Sequence, residues 1–231
     1  MVGAKERKPC FEVAEKVSER ELVCRAKGGD EEAIDALFGR VLDKIYNFVF
    51  WRVGGDRWEA EDLTAKTLLK AVEHFDRFEP RDDLEHPFSS WVYKIARRLV
   101  NNWWRDRKRR RKREIPLGWI VGRVGDEGEW TFKLERLESA VIGSKEESPE
   151  EVVIRKEEQR ELLEALRELP QHYQDALVLR YTAVGLSNQD IGAVLGGRSE
   201  EAVKSLLYRA RLKLREKLEE RGFAVDNYYG K

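Results

Sequence analysis

The chain has 231 residues, with 44 Lys+Arg against 44 Asp+Glu and a formal net charge of zero. That length allows one large or two small domains. The 38 % of charged residues, and the lack of any run near the roughly 20 apolar residues a bilayer demands, exclude a membrane-spanning protein. Seven Trp, seven Tyr and nine Phe argue against a wholly disordered polyampholyte. The chain opens Met1-Val2-Gly3-Ala4-Lys5-Glu6 with no apolar signal core, which predicts a cytoplasmic protein. Cys10 and Cys24 form neither a disulfide framework nor a zinc signature. His74, His86 and His172 are scattered and nominate no metal site, cofactor or catalytic set.

The neutral total is a cancellation. Residues 31–90 carry a net −6, residues 91–113 a net +10, and residues 114–161 again −6. A +10 block of 23 residues is a local field that attracts phosphates, whatever the sum.

In chain order, the six prolines and the Gly28-Gly29, Gly54-Gly55 and Gly196-Gly197 pairs separate runs of helical period. Residues 31–53 carry Ile34, Leu37, Phe38, Val41, Ile45, Phe48 and Val49 at helix spacing. Residues 57–75 place Leu68, Ala71, Val72 and Phe75 at i, i+3, i+4 and i+7, behind an Asp56…Glu59 pair with capping-box spacing. A polar, Pro-bounded loop follows (76–87), whose carboxylates can accept hydrogen bonds from base amino groups.

The next helix, 89–105, has two faces. Val92, Ile95, Ala96, Leu99 and Trp103 form an apolar stripe. Lys94, Arg97, Arg98, Asn101, Arg105 and Lys108 lie opposite, with Trp91 at the flank. Phe88 and Tyr93 stand close enough in sequence to stack on unpaired bases. Core packing is the alternative for Phe88 and Trp103. From Arg105 to Arg113, eight of nine residues are cations.

Residues 114–157 contain five glycines, Pro116, Pro149 and an acidic excess, and are predicted to be a linker. Only Gly118 to Val124 hints at a strand. Trp119, Ile120, Trp130 and Phe132 point either to docking on a partner or to packing on the chain's own domains. Residues 158–218 read as four helices. Within them Ser187 and Ser199 are placed to cap a short and a longer helix around a Gly196-Gly197 turn, the pattern of a helix-turn-helix. On the longer helix Val203, Leu206, Leu207, Ala210, Leu214 and Leu218 form the apolar stripe. Lys204, Ser205, Tyr208 and Arg209 project away, where a recognition helix meets the major groove. The expected fold is all-α, with two helical domains joined by a long acidic linker.

These motifs, in this order, resemble the bacterial RNA polymerase sigma factors of the extracytoplasmic-function (ECF, group four) type in the sigma-70 family. Trp58-Glu59-Ala60-Glu61-Asp62-Leu63-Thr64 is similar to the family's polymerase-binding motif. Phe88 to Arg97 resembles its promoter-melting helix, and Val203-Lys204-Ser205 with Tyr208 to Arg211 its recognition helix. The resemblance implies an N-terminal extension (1–19), sigma domain two (20–113), the linker (114–157), sigma domain four (158–222) and a C-terminal tail (223–231). It implies binding to the clamp coiled coil and the flap of core RNA polymerase, the clamp through Glu61, Asp62, Leu63, Lys66 and Leu69. Melted, single-stranded minus-ten DNA would meet Phe88, Trp91, Lys94, Arg97, Arg98, Asn101, Arg105 and Lys108. Double-stranded minus-thirty-five DNA would meet Ser199, Lys204, Ser205, Tyr208, Arg209 and Arg211. An anti-sigma factor is a further partner the resemblance suggests, and no covalent catalysis is expected.

Five positions depart from the family pattern. Ala65-Lys66 stand where Gln-Glu is usual, reversing a charge in the expected clamp interface. Arg98 replaces an Asn that helps hold a flipped-out base, Asn102 replaces an Asp, and Leu206 stands where an Arg is typical. Two rival readings remain at this level. A stand-alone helix-turn-helix regulator explains residues 186–218 but leaves the 56–113 motifs idle. An enzyme would need a nucleophile or metal set that no motif supplies.

Overall fold

The computed structural model describes residues 17–113, 149–183 and 185–222. Among them the regular elements are helices: α1 (Glu19–Lys27), α2 (Glu31–Val53), α3 (Arg57–Glu73), a 3-10 turn (Phe75–Arg77), α4 (Pro87–Arg113), α5 (Pro149–Glu168), α6 (Gln171–Thr182), α7 (Asn188–Val194) and α8 (Glu200–Glu220). The suggested strand at Gly118 to Val124 and the aromatics Trp119, Ile120, Trp130 and Phe132 lie outside the described residues. Helix α5 begins at Pro149, nine residues before the expected boundary at 158.

Local chemistry explains where the helices start. Ser18, Asp30, Asp56, Ser187 and Ser199 each accept a hydrogen bond from the backbone N–H three residues on, which satisfies an orphan donor of the first turn. Losing such a cap costs about 1 kcal/mol. At Ser187 the cap is reciprocal, because the Asp190 carboxylate accepts from the Ser187 N–H.

The N-terminal boundary needs correcting. Ser18 caps α1, and the Glu19 carboxylate accepts from the Phe88 N–H (2.7 Å), the Ser89 N–H (3.1 Å) and the Ser89 hydroxyl. An anion from α1 thus sits on the exposed donors at the start of α4, where the helix dipole favours it. These two residues are part of the bundle rather than of an extension.

Helices α1 to α4 pack around α2, whose Ile45, Phe48 and Val49 are fully buried. Phe48 meets the Tyr93 ring edge-on at 5.5 Å. Phe88 stands edge-on to Phe38, Phe75 and Phe78 at 5.3, 5.9 and 5.8 Å. The buried face of α3 is Ala60, Leu63, Thr64, Thr67 and Ala71, so the helix is turned relative to the expected stripe and Val72 is 58 % exposed. The two threonines hide this face from a hydropathy pattern. Thr67 fits inside because its hydroxyl donates to the Leu63 carbonyl at 2.7 Å.

In the second half, α6, α7 and α8 bury Leu179, Ile191, Val203, Leu206 and Leu207. The two halves are in contact: α2 packs on α6 and α4 on α7. Ala176, Val178, Leu179 and Ile191 belong to the same apolar cluster as Phe48, Val49 and Val100. Composition points to two tethered domains, and the fold joins them through one continuous core.

Candidate nucleic-acid interface

Three surfaces carry the candidate residues. The first is the basic face of α4. Lys94, Arg97, Arg98, Asn101, Asn102 and Arg105 line one wall of a cleft, and Ala193, Val194 and Gly196 line the other. No carboxylate is among these lining residues. The basic wall therefore keeps its positive field, although burial works against the charge at Lys94. Partial burial and the neighbouring Arg81 charge push the Lys94 ammonium below its usual range, against the pull of Asp83. Arg98, Arg105 and Lys108 are exposed. Asn101 accepts a hydrogen bond from the Gln171 side chain of α6.

Arg97 is committed elsewhere. Its Nε donates to Asp175 of α6 at 2.6 Å and its Nη1 to the Val194 carbonyl at 3.4 Å. Asp175 is completely buried and also accepts from Arg52 Nε at 2.8 Å. Arg52 is itself 1 % exposed at its side chain and donates to Gln174 as well. Burial pulls the Arg52 guanidinium below its usual range, and the Asp175 charge opposes that shift.

Phe88 and Tyr93 must be removed from the base-stacking set. Both are fully buried, so stacking on a base would require taking the aromatic core apart. Burial also raises the Tyr93 hydroxyl well above its ordinary range. Trp91 is half-buried, stacked on Phe78 with centroids 4.7 Å apart and planes 30° apart. It is the aromatic of the three that keeps exposed ring area beside the basic face. The preceding loop is pinned by Arg20, whose guanidinium donates to the Leu84 carbonyl at 2.7 Å and to Asp82.

The second surface is α3. Trp58, Leu69 and Val72 are 84 %, 59 % and 58 % exposed. With Asp62 and Ala65 they follow one another at steps of four, three, four and three residues, which places them on one side of the helix. Leu63, expected in the polymerase contact, points the other way into the core and is corrected to a packing residue. Asp62 pairs with Lys66 one turn on, so the reversed charge at 66 is matched within its own helix. Glu61 pairs with Arg57 at 3.2 Å. Val72 stands outside the expected polymerase-binding residues, and Trp58 enters them only through the motif Trp58 to Thr64. The signal was an apolar spacing opposite to the buried one.

The third surface is the helix-turn-helix. Gly196 and Gly197 both take positive φ, +97° and +82°, conformations that glycine adopts without a Cβ clash. Ser199 spends its hydroxyl on capping α8 at the Ala202 N–H. Ser205, Tyr208 and Arg209 are exposed on α8, and Lys204 is held by Glu200 at 2.7 Å. That pairing raises the Lys204 pKa and lowers that of Glu200. Arg211 donates to the Tyr181 hydroxyl at 3.2 Å. Leu206 is buried, so the site of a typical family arginine is occupied by core.

Glu85, His86 and Asp190 bring possible ligand atoms within 4.8 Å of one another. Both Asp190 oxygens already serve in hydrogen bonds, one to the His86 N–H and the other to the Ser187 N–H and hydroxyl. The cluster works as a brace between the loop before α4 and the cap of α7.

Residues 37–110 match the family model for Sigma-70 region 2, and residues 159–214 that for Sigma-70, region 4. The chain is 30 % identical over 194 residues to the ECF RNA polymerase sigma factor SigW of Bacillus subtilis, covering 84 % of this chain and 93 % of that one. It is 31 % identical to the ECF RNA polymerase sigma factor BldN of Streptomyces coelicolor, across 82 % of this chain and 62 % of the relative's length. Among solved structures, CnrH in complex with the cytosolic domain of CnrY superposes with a TM-score of 0.55 at 21 % identity, over 88 % of this chain and 99 % of that one. The sigma factor RpoE of Bartonella quintana, in complex with the anti-sigma factor NepR, gives 0.51 at 24 % identity, over 79 % and 94 %. Both share the fold. Among the described residues, no helix is long and apolar enough to cross a membrane.

Proposed function

The chain belongs to the ECF sigma factors of the sigma-70 family, and from that premise we propose how its surfaces divide the work of transcription initiation. Sigma factors of this kind direct RNA polymerase to promoters, which leaves the stand-alone regulator unfavoured. The exposed apolar side of α3, with Trp58, Leu69 and Val72 around Asp62, takes the polymerase clamp. The exposed cations Arg98, Arg105 and Lys108, with Lys94, Asn101 and Trp91, take the unpaired minus-ten strand. Arg97 joins them when released from Asp175. Lys204, Ser205, Tyr208, Arg209 and Arg211 meet the minus-thirty-five duplex, with Ser199 holding the start of α8.

The chain needs no covalent chemistry for this. Unpairing costs a few kcal/mol per base, and stacking plus phosphate contacts offset it at about 1–3 kcal/mol per stacked base. It acts in the cytoplasm, and an anti-sigma partner of the kind bound to the Bartonella protein is part of the same proposal. The acidic residues between α4 and α5 suit a path through polymerase channels made for nucleic acid, since their charge imitates it.

The observation that carries this reading is the single chain holding a basic single-strand face and a capped helix-turn-helix together with an apolar helix side that is exposed among the described residues. Run-off transcription with bacterial core polymerase on a promoter library is the test. Promoter-specific starts are expected, and their absence with folded protein would overturn the reading.

A further inference from the structure

Helix α1 does more than cap α4. Residues 76–86 cross from α3 to α4, and α1 holds them near both ends. At one end the Lys27 ammonium donates to the Asp76 carbonyl at 2.9 Å. At the other the Arg20 guanidinium donates through Nη2 to the carbonyls of Arg81 (3.3 Å), Asp82 and Leu84 (2.7 Å). Its Nη1 reaches the Asp82 carboxylate at 3.2 Å. Arg20 and Lys27 are seven residues apart, two turns, so both stand on one side of α1. The two grips are therefore about 10 Å apart along the helix axis.

Lys27 also lies over two rings at the start of this crossing. Its nitrogen is 5.7 Å from the Phe75 centroid and 6.0 Å from that of Phe78, a range at which a cation is drawn to a ring face. Phe78 is buried, and Trp91 stacks on it with centroids 4.7 Å apart. Contact thus runs from α1 to the loop, from the loop to Phe78, and from Phe78 to Trp91.

We propose that Arg20 and Lys27 are positioning residues for base capture: from α1 they fix the loop, and through Phe78 they set the angle at which Trp91 offers its ring to an unpaired base. The inference rests on the minus-ten reading of Trp91, and neither cation is assigned a contact with DNA. Two features of the geometry support it. Stacking is directional, because a ring that tilts away from a base loses face-to-face area. Trp91 is only half-buried, so the core does not hold its plane alone. The second feature is the convergence of three loop carbonyls on one guanidinium. Its planar fork of N–H donors is a rigid template, which a flexible point charge would not be. The loop backbone thus takes its shape from α1.

The test uses holoenzyme reconstituted from the full chain and bacterial core polymerase. The probes are fork-junction DNAs built from the strongest promoter of the run-off library, each with 2-aminopurine at one single-stranded minus-ten position. Stacking on an indole quenches 2-aminopurine, so fluorescence at saturating holoenzyme reads the ring geometry and titration reads affinity. Trp91→Ala is expected to restore fluorescence at one position, which identifies the base that the ring meets. Arg20→Ala and Lys27→Met are expected to restore about half of it there and to weaken binding about threefold, less than a whole base stack contributes. Other probe positions are expected to keep their fluorescence. Combined with Trp91→Ala, neither substitution is expected to add to its effect. Lys27 is exposed, so Lys27→Met carries the test should Arg20→Ala fail to fold. Unchanged quenching in Lys27→Met overturns the positioning role. A loss that is equal at every probe position, or that persists beside Trp91→Ala, overturns it too, because that is the mark of a general loss of folding. Trp91→Ala without effect at any position overturns the minus-ten reading of Trp91, and the positioning role with it.

Discussion

Adding one methyl group at two helical glycines is expected to move stability in opposite directions. Gly192 lies inside α7, where an added Cβ would sit 2.2 Å from the Arg198 carbonyl oxygen and 3.3 Å from its carbon. The obstacle is backbone, roughly 1 Å inside a tolerable separation. It cannot swing aside, because the Gly197 and Arg198 N–H groups both bond back to the Gly192 carbonyl at 3.0 Å. Overpacking of this kind costs about 1–3 kcal/mol, and straining two hydrogen bonds adds about 1 kcal/mol. Alanine's better helix propensity returns about 1 kcal/mol. The net expectation for Gly192→Ala is a loss of about 2 kcal/mol, with the helix-turn-helix pushed open.

Gly39 is the control. It lies in the middle of α2, exposed, with nothing within 4 Å of an added Cβ. There Gly39→Ala gains about 0.5–1 kcal/mol from propensity alone. Urea unfolding followed by Trp fluorescence measures both, and anisotropy with a minus-thirty-five duplex reports the turn. A Gly192→Ala variant as stable as the parent, binding duplex normally, would refute the close approach of α7 to the loop before α8.

Three other expectations concern the surfaces. Trp58→Ala combined with Leu69→Ala leaves unfolding unchanged within about 0.5 kcal/mol, as exposed positions do, yet weakens association with core polymerase at least tenfold; interferometry with immobilised core measures it. Leu206→Arg does not create a phosphate contact. It forces a charge into the α6–α8 core, costs more than about 3 kcal/mol and lowers the unfolding midpoint in urea. Replacing Arg98 by Asn changes the preferred minus-ten sequence in a run-off library, whereas an unaltered preference would remove Arg98 from the specificity set.

Helix starts were legible from residues alone because a cap involves partners three positions apart, as at Ser187 with Asp190 and Ser199 with Ala202. The basic face of α4 and the polar face of α8 were legible for a similar reason, since side chains a turn apart share a side of any helix. Periodicity failed on α3, where Thr64 and Thr67 are core and Val72 is not. Thr67 satisfies its hydroxyl within the helix, at the Leu63 carbonyl, and hydropathy does not record that. It also left Phe88 open between base and core, a choice made by Phe38, Phe75 and Phe78 closing around the ring.

The zero net charge divides into two kinds of information. Its distribution along the chain, −6, +10 and −6, belongs to the sequence, and it marks α4 as the place where phosphate would go. Which of those cations stand free was decided by the fold. Arg97 is taken by Asp175, 78 residues away, and Arg52 reaches the same carboxylate across 123 residues. No local pattern encodes such pairs, because they form only when α2, α4 and α6 are packed and water is excluded from between them. The sequence determined what each helix face offers, and the tertiary structure decided which faces are already occupied.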